Sequence, residues 1–230
     1  PAGAGTCTRR RYVEDTLVLE TEWETVDGCV RVIDFMPPRG HAPDVVRIVE
    51  GVSGSVAMRG ELVLRFDYGR VRPWVHHDAD QVLAVAGPDA VRLRTPAPTH
   101  GHEWSTVSEF TVRTGDRVPF VLTWSPSHQR RPRPVDAEDA LNDTLTYWQE
   151  WCARGHAVEG PYRDAIRRSL LTLKALIYQP TGGIVAAATT SLPEQLGGQR
   201  NWDYRYCWLR DATYTLQALI AGGYLQEAKA

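Results

Sequence analysis

The residues best suited to chemistry lie close together near the end of the sequence, at positions 201–211. Aromatic residues occupy every second position there, as Trp202, Tyr204, Tyr206 and Trp208. Two charged residues, Arg210 and Asp211, follow. In an extended strand alternate side chains share a face, so the spacing predicts one aromatic face with Asp203 and Arg205 opposite.

These are the residue types that carbohydrate sites need. A pyranose ring has apolar C–H faces that stack on Trp and Tyr, and a rim of hydroxyl groups that each donate and accept hydrogen bonds. Carboxylate and guanidinium groups bind adjacent hydroxyls through charge-assisted hydrogen bonds. The segment therefore predicts a sugar site held by Arg210 and Asp211. By themselves the residues are equally compatible with a core aromatic cluster and a structural ion pair at a helix start.

The first 125 residues have the pattern of an antiparallel β structure. Residues 17–25 alternate, the turn Asp27-Gly28 follows, and residues 30–35 alternate again, which predicts a hairpin. Further strands are predicted at 45–52, 55–66, 81–86, 90–95, 105–113 and 117–124. Many short strands with turn residues between them predict a β-sandwich domain over residues 1–125.

The rest of the chain is predicted to be helical. Residues 126–160 begin with three prolines and continue as a connecting helix, with Asp136 as its N-cap. Apolar periodicity predicts a second helix after Gly160-Pro161 and a third over residues 209–221. Residues 181–207 between them are predicted to be non-helical, a length that is typical of a functional loop.

Charge and cysteine content exclude several classes of protein. The chain of 230 residues has 26 basic and 28 acidic residues, so no basic excess indicates a nucleic-acid or membrane partner. No apolar run is long enough to span a membrane. The four cysteines include no C-x-x-C pair, and their low number suits a reducing compartment, which predicts a cytoplasmic location.

Histidine pairs raise the question of a metal site. His76 and His77 are neighbours, so a strand would direct them to opposite faces. His100 and His102 could share a face, but no cysteine or acidic cluster nearby completes a set of ligands. Neither pair is therefore interpreted as a metal site, the second pair is interpreted as exposed loop histidines, and neither a metal nor another cofactor is predicted.

Longer stretches of the sequence resemble glycoside hydrolase family 15, the glucoamylase and trehalase family, in its bacterial branch. The resemblance is carried by SLPEQLGGQRNWDYRYCWLRD, by the preceding PTGGIVAAATTSLPE, and by front segments such as DTLVLETEWET and LVLRFDYGRVRPW. It covers nearly the whole chain.

The resemblance implies a fold, a reaction and site residues. The fold is a β-sandwich domain followed by the first helices of an (α/α)6 barrel, here residues 161–230. The reaction is the hydrolysis of α-linked glucose with inversion, by one glutamic acid and one glutamate base roughly 6.5–9.5 Å apart. Arg210 and Asp211 would grip the terminal glucose, and Tyr206 and Trp208 would line its pocket. Further candidates are Trp202, Tyr204 and Glu194, the last as a supporting loop residue.

A barrel of twelve helices does not fit between residues 136 and 230. The chain is therefore expected to be an N-terminal fragment of an enzyme, shortened at its front, with both catalytic glutamates beyond Ala230 and no activity of its own. The substrate is left open among trehalose, maltodextrins and isomalto-linked glucans.

Two other functions are kept as alternatives, a non-catalytic sugar-binding β-sandwich module and a packing or dimerisation platform. An incomplete barrel would also expose apolar side chains, so the isolated chain is expected to associate with copies of itself. The residues concerned are Ile166, Leu170, Leu173, Leu216 and Leu219.

Overall fold

The first part of the chain forms ten antiparallel β-strands in a computed structural model, which describes residues 1–78, 81–189 and 195–229. Together with the start of a helix they make a first compact unit, Pro1–Tyr147. The strands are β1 (Thr6–Tyr12), β2 (Leu19–Thr25), β3 (Gly28–Phe35), β4 (Asp44–Leu62), β5 (Trp74–His77), β6 (Gln81–Ala86), β7 (Asp89–Arg94), β8 (Thr99–His102), β9 (Ser105–Arg113) and β10 (Arg117–Pro126).

Strand β4 organises the unit because its 19 residues pair with different partners along their length. Its first half pairs with β3 and β10, and its second half pairs with β9, which carries β8. The main path runs β1-β2-β3-β4-β10-β7-β6-β5. The prediction of two separate strands at 45–52 and 55–66 was wrong, because the chain stays paired through Ser53-Gly54 instead of turning back.

Side chains from both halves of β4 meet in one buried cluster. Val30 and Val49 come from β3 and the first half of β4, and they pack with Val56, Met58 and Val112 from its second half and β9. The predicted mostly β N-terminal domain is confirmed.

The opposite face of β3, β4 and β10 packs on helix α1 (Ala137–Ala153). Asp136 caps this helix as predicted, since its Oδ1 accepts hydrogen bonds from the backbone N–H groups of Glu138 and Asp139 at 2.9 and 3.0 Å. Ala137 and Ala140 are each 5% exposed and lie in the cluster around Ile48. The small side chains allow the helix to approach the sheet closely.

Three strands of the first unit were not predicted from the sequence. Strand β1 has seven exposed residues, and β5 and β8 have four residues each, so neither length nor burial gives them a clear alternating pattern. The loop position predicted for the second histidine pair was therefore wrong. His100 and His102 are exposed, but they lie in β8 and not in a loop.

The second compact unit, Trp148–Ala230, contains the end of α1, then α2 (Arg163–Ala175), the short strands β11 (Ile177–Tyr178) and β12 (Gly183–Ile184), and α3 (Leu209–Ala221). The predicted α3 has the observed boundaries. Ile166 is 42% exposed, whereas Leu170 and Leu219 are buried at 7% and 0%. The last two were therefore wrongly expected to be exposed, because α2 and α3 cover them. Self-association stays a prediction.

No helix in the described ranges is long and apolar enough to cross a membrane. No disulfide bond joins any of the four cysteines, Cys7, Cys29, Cys152 and Cys207, within the described residues.

Replacing Gly54 with Ala is expected to destabilise the β unit by roughly 2–5 kcal/mol. Gly54 has a φ of +72°, and a Cβ there would collide with the carbonyl oxygen of Asp27. Gly115 offers a control, because its φ is +87° but nothing lies within 4 Å of an added Cβ. Gly115→Ala should therefore show backbone strain alone, about 1–2 kcal/mol in urea unfolding. Equal losses for the two variants would contradict the collision.

Candidate functional site

Arg210 and Asp211 lie side by side in the first turn of α3. Nη2 of Arg210 is 3.1 Å from Oδ2 of Asp211. The Arg210 side chain is 70% exposed and the Asp211 side chain 30% exposed. Within the described part of the chain this is the only hydrogen bond that either side chain makes. Both groups are therefore accessible to hydroxyl groups of a ligand, and the helix dipole favours the carboxylate at this end.

The aromatic segment before α3 is not extended, so the predicted aromatic face was wrong. The chain turns at Tyr204-Arg205. Asp203 causes the turn, because its Oδ1 accepts a hydrogen bond from the backbone N–H of Arg205 at 2.9 Å and its carboxylate also pairs with the Arg205 guanidinium. Side chains four residues apart then meet, and the Tyr204 and Trp208 rings lie 5.7 Å apart.

The other aromatic residues of the segment are exposed. Tyr206 is 64% exposed and Trp202 is 47% exposed. Trp208 is 36% exposed and donates from Nε1 to the carbonyl oxygen of Asp203 at 3.1 Å, which holds the indole against the turn. The structure thus brings Tyr204 and Trp208 together, and separately Arg210 and Asp211. Glu194 lies outside the described residues.

Backbone hydrogen bonds tie this segment to the hairpin of β11 and β12. Ala186 N–H donates to the carbonyl of Tyr206 at 3.1 Å, and Ala187 N–H donates to that of Tyr204 at 2.9 Å. Val185 N–H in turn donates to Leu176 at the end of α2. The long loop is therefore anchored at its second half, next to the start of α3.

A cluster around Trp151 fixes the far end of α3. Trp151 is fully buried, and its ring stacks on Tyr224 at 3.8 Å with 7° between the planes. Its Nε1 donates to Glu227 at 2.7 Å, and Lys174 of α2 lies 3.2 Å from the same carboxylate. These contacts join the end of α1, α2 and the chain that follows α3. Sequence patterns did not indicate this cluster.

Burial acts on the pKa of two titratable groups of that cluster, Tyr224 and Glu227. It raises the pKa of the Tyr224 hydroxyl to about 12. Burial also pushes the pKa of Glu227 upwards, but hydrogen bonds from Trp151 and Lys174 outweigh it, so the pKa lies below its usual value. A lowered carboxyl pKa stabilises the fold at neutral pH, and this contribution is lost as the pH falls through the pKa of the folded state.

The histidines do not assemble a metal centre within the described residues, where no three or more His, Cys, Asp or Glu side chains form a suitable group. His76 instead lies 2.8 Å from Asp78, between Nε2 and Oδ1, and its ring stacks on Trp74.

Two family profiles match the chain. One, described as "Trehalase-like, N-terminal", matches residues 1–118, and the other, "Glycosyl hydrolases family 15", matches residues 160–230. The second match includes α2, α3 and the Arg210–Asp211 pair.

Curated relatives match along almost the whole chain. A protein named trehalase from Mycobacterium tuberculosis is 33% identical over 258 residues, which covers 99% of this chain and 37% of the relative. One of the same name from Mycolicibacterium smegmatis is 35% identical, and the match covers 99% of this chain and 38% of the relative. A third, from Thermoplasma volcanium, is 32% identical, and the match covers 94% of this chain and 36% of the relative. The chain thus spans well under half the length of these relatives.

A solved structure shares the fold. The crystal structure of a bacterial glucoamylase complexed with acarbose superposes with a TM-score of 0.63, over 98% of this chain and 40% of that one. The two sequences are 13% identical, so the likeness concerns the fold alone.

Proposed function

Because the chain belongs to glycosyl hydrolase family 15 and carries its trehalase-like N-terminal domain, we propose that it is part of an inverting hydrolase that releases glucose from an α-glucoside. In this proposal residues 1–125 form a β-sandwich, residues 126–160 a linker and connecting helix, and residues 161–230 the start of an (α/α)6 barrel. Trehalose is the proposed substrate, because the relatives at 32–35% identity are named trehalases.

The observation that carries the proposal is the accessible ion pair of Arg210 and Asp211. A structural ion pair of the same unit, Lys174 with Glu227, is largely buried, with side chains 19% and 7% exposed. The corresponding values for Arg210 and Asp211 are 70% and 30%. Exposed ion pairs contribute little to stability. The Asp211 carboxylate and the Arg210 guanidinium are free to bind adjacent hydroxyls of a terminal glucose.

Aromatic residues form the proposed wall of this subsite. Tyr206 and Trp208 offer ring surface to the apolar face of the glucose, since both remain at least one third exposed. Tyr204 packs on Trp208 and fixes the angle of its indole. Trp202 and Glu194 are kept as supporting candidates.

The chemical step needs two more carboxyl groups. One glutamic acid protonates the glycosidic oxygen, and one glutamate activates the water that attacks C1 from the opposite face. We place both in the remainder of the full-length protein. The role of this chain is to hold the glucose so that C1 faces that water, and fixed orientation by itself lowers the barrier of a reaction.

The stereochemistry of the products tests the proposal. The full-length protein is incubated with trehalose, and the glucose anomers are followed by proton NMR before mutarotation. Inversion at one C1 gives equal amounts of β-glucose and α-glucose, because the leaving glucose keeps its α configuration. Two equivalents of α-glucose would contradict inversion.

Maltose and isomaltose are the matched substrates for the same experiment, since each offers a terminal α-glucose to Arg210 and Asp211. If trehalose is hydrolysed and maltose and isomaltose are not, the trehalase assignment is supported. Faster hydrolysis of maltose or isomaltose would replace it with a glucoamylase-type one, and no hydrolysis of any of the three would contradict the whole proposal.

A further inference from the structure

A cleft of about 470 Å³ opens in the β unit, and its lining includes none of the residues proposed above to hold a glucose. Its floor is apolar and consists of buried strand residues such as Val82, Ala84 and Leu93. Its rim carries two indoles and several polar groups, namely Trp74, Trp104, Arg72, His77, Glu103 and Arg65. The volume lies within the range of small-molecule sites.

Both indoles are unusually exposed for their size. Trp74 is 67% exposed and Trp104 is 69% exposed, although Trp residues are normally buried for most of their surface. Neither is needed to fill the hydrophobic core beneath. Their apolar faces are therefore available at the mouth of the cleft.

Backbone strain is concentrated at the same place. Five described residues other than glycine have positive φ values, and four of them lie in two turns, one that lines the cleft and one that joins the lining residues Arg65 and Arg72. Asp67 and Tyr68 belong to the turn between Arg65 and Arg72, with φ values of 47° and 54°. Glu103 and Trp104 form the turn between β8 and β9, with φ values of 43° and 68°. Strain of this kind is usually stored at functional sites.

The turn of Glu103 and Trp104 is the more informative of the two. A two-residue hairpin loop with positive φ at both positions is a type I′ turn, in which Asn-Gly or Gly-Gly is strongly preferred. Here a bulky Trp occupies the second position at a cost in stability. Two hydrogen bonds hold the turn, from Arg65 Nη1 to the carbonyl of Trp104 at 3.1 Å and from Ser105 Oγ to that of His102 at 2.6 Å.

The polar groups of the rim are arranged around these indoles. The Arg72 guanidinium lies over one face of Trp104, 4.7 Å from its ring centroid. A stacked guanidinium keeps its N–H donors at the edge, where they can reach a ligand. Glu103 supplies a carboxylate acceptor and His77 an imidazole at the same cleft. Charges of both signs favour a neutral ligand rich in hydroxyl groups.

We propose that this cleft is a second carbohydrate site, which binds a neutral pyranoside between Trp74 and Trp104. The C–H face of the sugar stacks on the indoles and the apolar floor, and its hydroxyls bind Arg72, Glu103 and His77. The inference rests on the cleft alone, and it stands whether or not Arg210 and Asp211 grip a glucose.

Maltose and trehalose are the probes, titrated into the ¹⁵N-labelled 230-residue chain while the indole N–H resonances of Trp74 and Trp104 are followed. Three variants separate the causes. Trp104→Gly removes one wall of the cleft and supplies the residue that the turn prefers. Arg72→Gln removes a hydrogen-bond donor without changing the turn. Asp211→Asn disables the glucose site proposed at Arg210 and Asp211.

A saturable shift of both indoles is expected with at least one sugar, and it should persist in Asp211→Asn. Trp104→Gly should weaken binding on the order of tenfold, reported by Trp74, while its melting temperature stays level or rises. Arg72→Gln should weaken binding at an unchanged melting temperature. The proposal is overturned if neither sugar moves these resonances, if their shift disappears in Asp211→Asn, if both cleft variants bind like wild type, or if Trp104→Gly lowers the melting temperature.

Discussion

Replacing Asp211 with Asn in the full-length protein is expected to lower kcat/KM for trehalose by roughly 10²–10⁴-fold. The carboxylate is proposed to accept hydrogen bonds from two adjacent hydroxyls of the terminal glucose, and each hydrogen bond to a charged group contributes about 1.5–3 kcal/mol. Since Asp211 makes a single exposed ion pair in the fold, the melting temperature should hardly change. Steady-state kinetics and thermal unfolding measure the two effects.

Asp164 offers a closely matched control. It follows Arg163 in the first turn of α2, and its Oδ1 lies 3.2 Å from the Arg163 Nε, so it repeats the Arg-Asp dipeptide and the ion pair that Arg210 and Asp211 form in the first turn of α3. A single aromatic residue, Tyr162, precedes it, in place of the four at positions 202–208. Asp164→Asn should leave kcat/KM near wild type. Equal losses of activity in both variants would refute the assignment of Asp211.

The largest loss of stability is expected from Trp151→Ala, at roughly 3–5 kcal/mol. The substitution empties a fully buried site, removes the ring that stacks on Tyr224, and leaves the buried Glu227 with one partner fewer. Urea unfolding followed by circular dichroism at 222 nm measures the loss, because the affected unit contains α2 and α3.

Two further variants separate the causes of that loss. Trp151→Phe keeps an aromatic ring against Tyr224 but loses the hydrogen bond to Glu227, so an intermediate loss of about 1–3 kcal/mol is expected. Trp202→Ala removes a half-exposed indole of the same unit and should stay within about 0.5 kcal/mol of wild type. If Trp151→Ala unfolds at the same urea concentration as Trp202→Ala, the Trp151 cluster does not stabilise the helical unit.

Helices and strands could be predicted where they are long enough and buried enough on one face to space their apolar residues regularly. Helix α3 has one buried line through Thr215 and Leu219, and its predicted limits agree with the structure. Apolar side chains recur along strands β3 and β10 because one face of these strands packs on α1 and the other on β9. Strands β5 and β8 have four residues and little burial, so their sequences carry no comparable pattern.

Local side-chain chemistry explains the largest error at the candidate site. Alternating aromatics favour a strand, but the Asp203 carboxylate binds the backbone two residues on and closes a turn. The Arg210–Asp211 pair could be found because its residues are neighbours in sequence. The cleft of Trp74 and Trp104 could not, because its walls come from segments about 30 residues apart and its strained turn becomes visible only in the backbone angles.

The double pairing of β4 has a consequence for synthesis on the ribosome. Pro126, the last residue of β10, follows Leu62, the last residue of β4, by about 60 positions. At a translation rate of about 5–20 residues per second, roughly 3–12 s pass between the synthesis of β4 and the synthesis of the last residue of β10 that pairs with it. During that interval one edge of this 19-residue strand is unpaired and can pair with other nascent chains. The yield of the protein in cells should therefore respond to chaperones that shield nascent chains and to translation speed between the codons of Leu62 and Pro126.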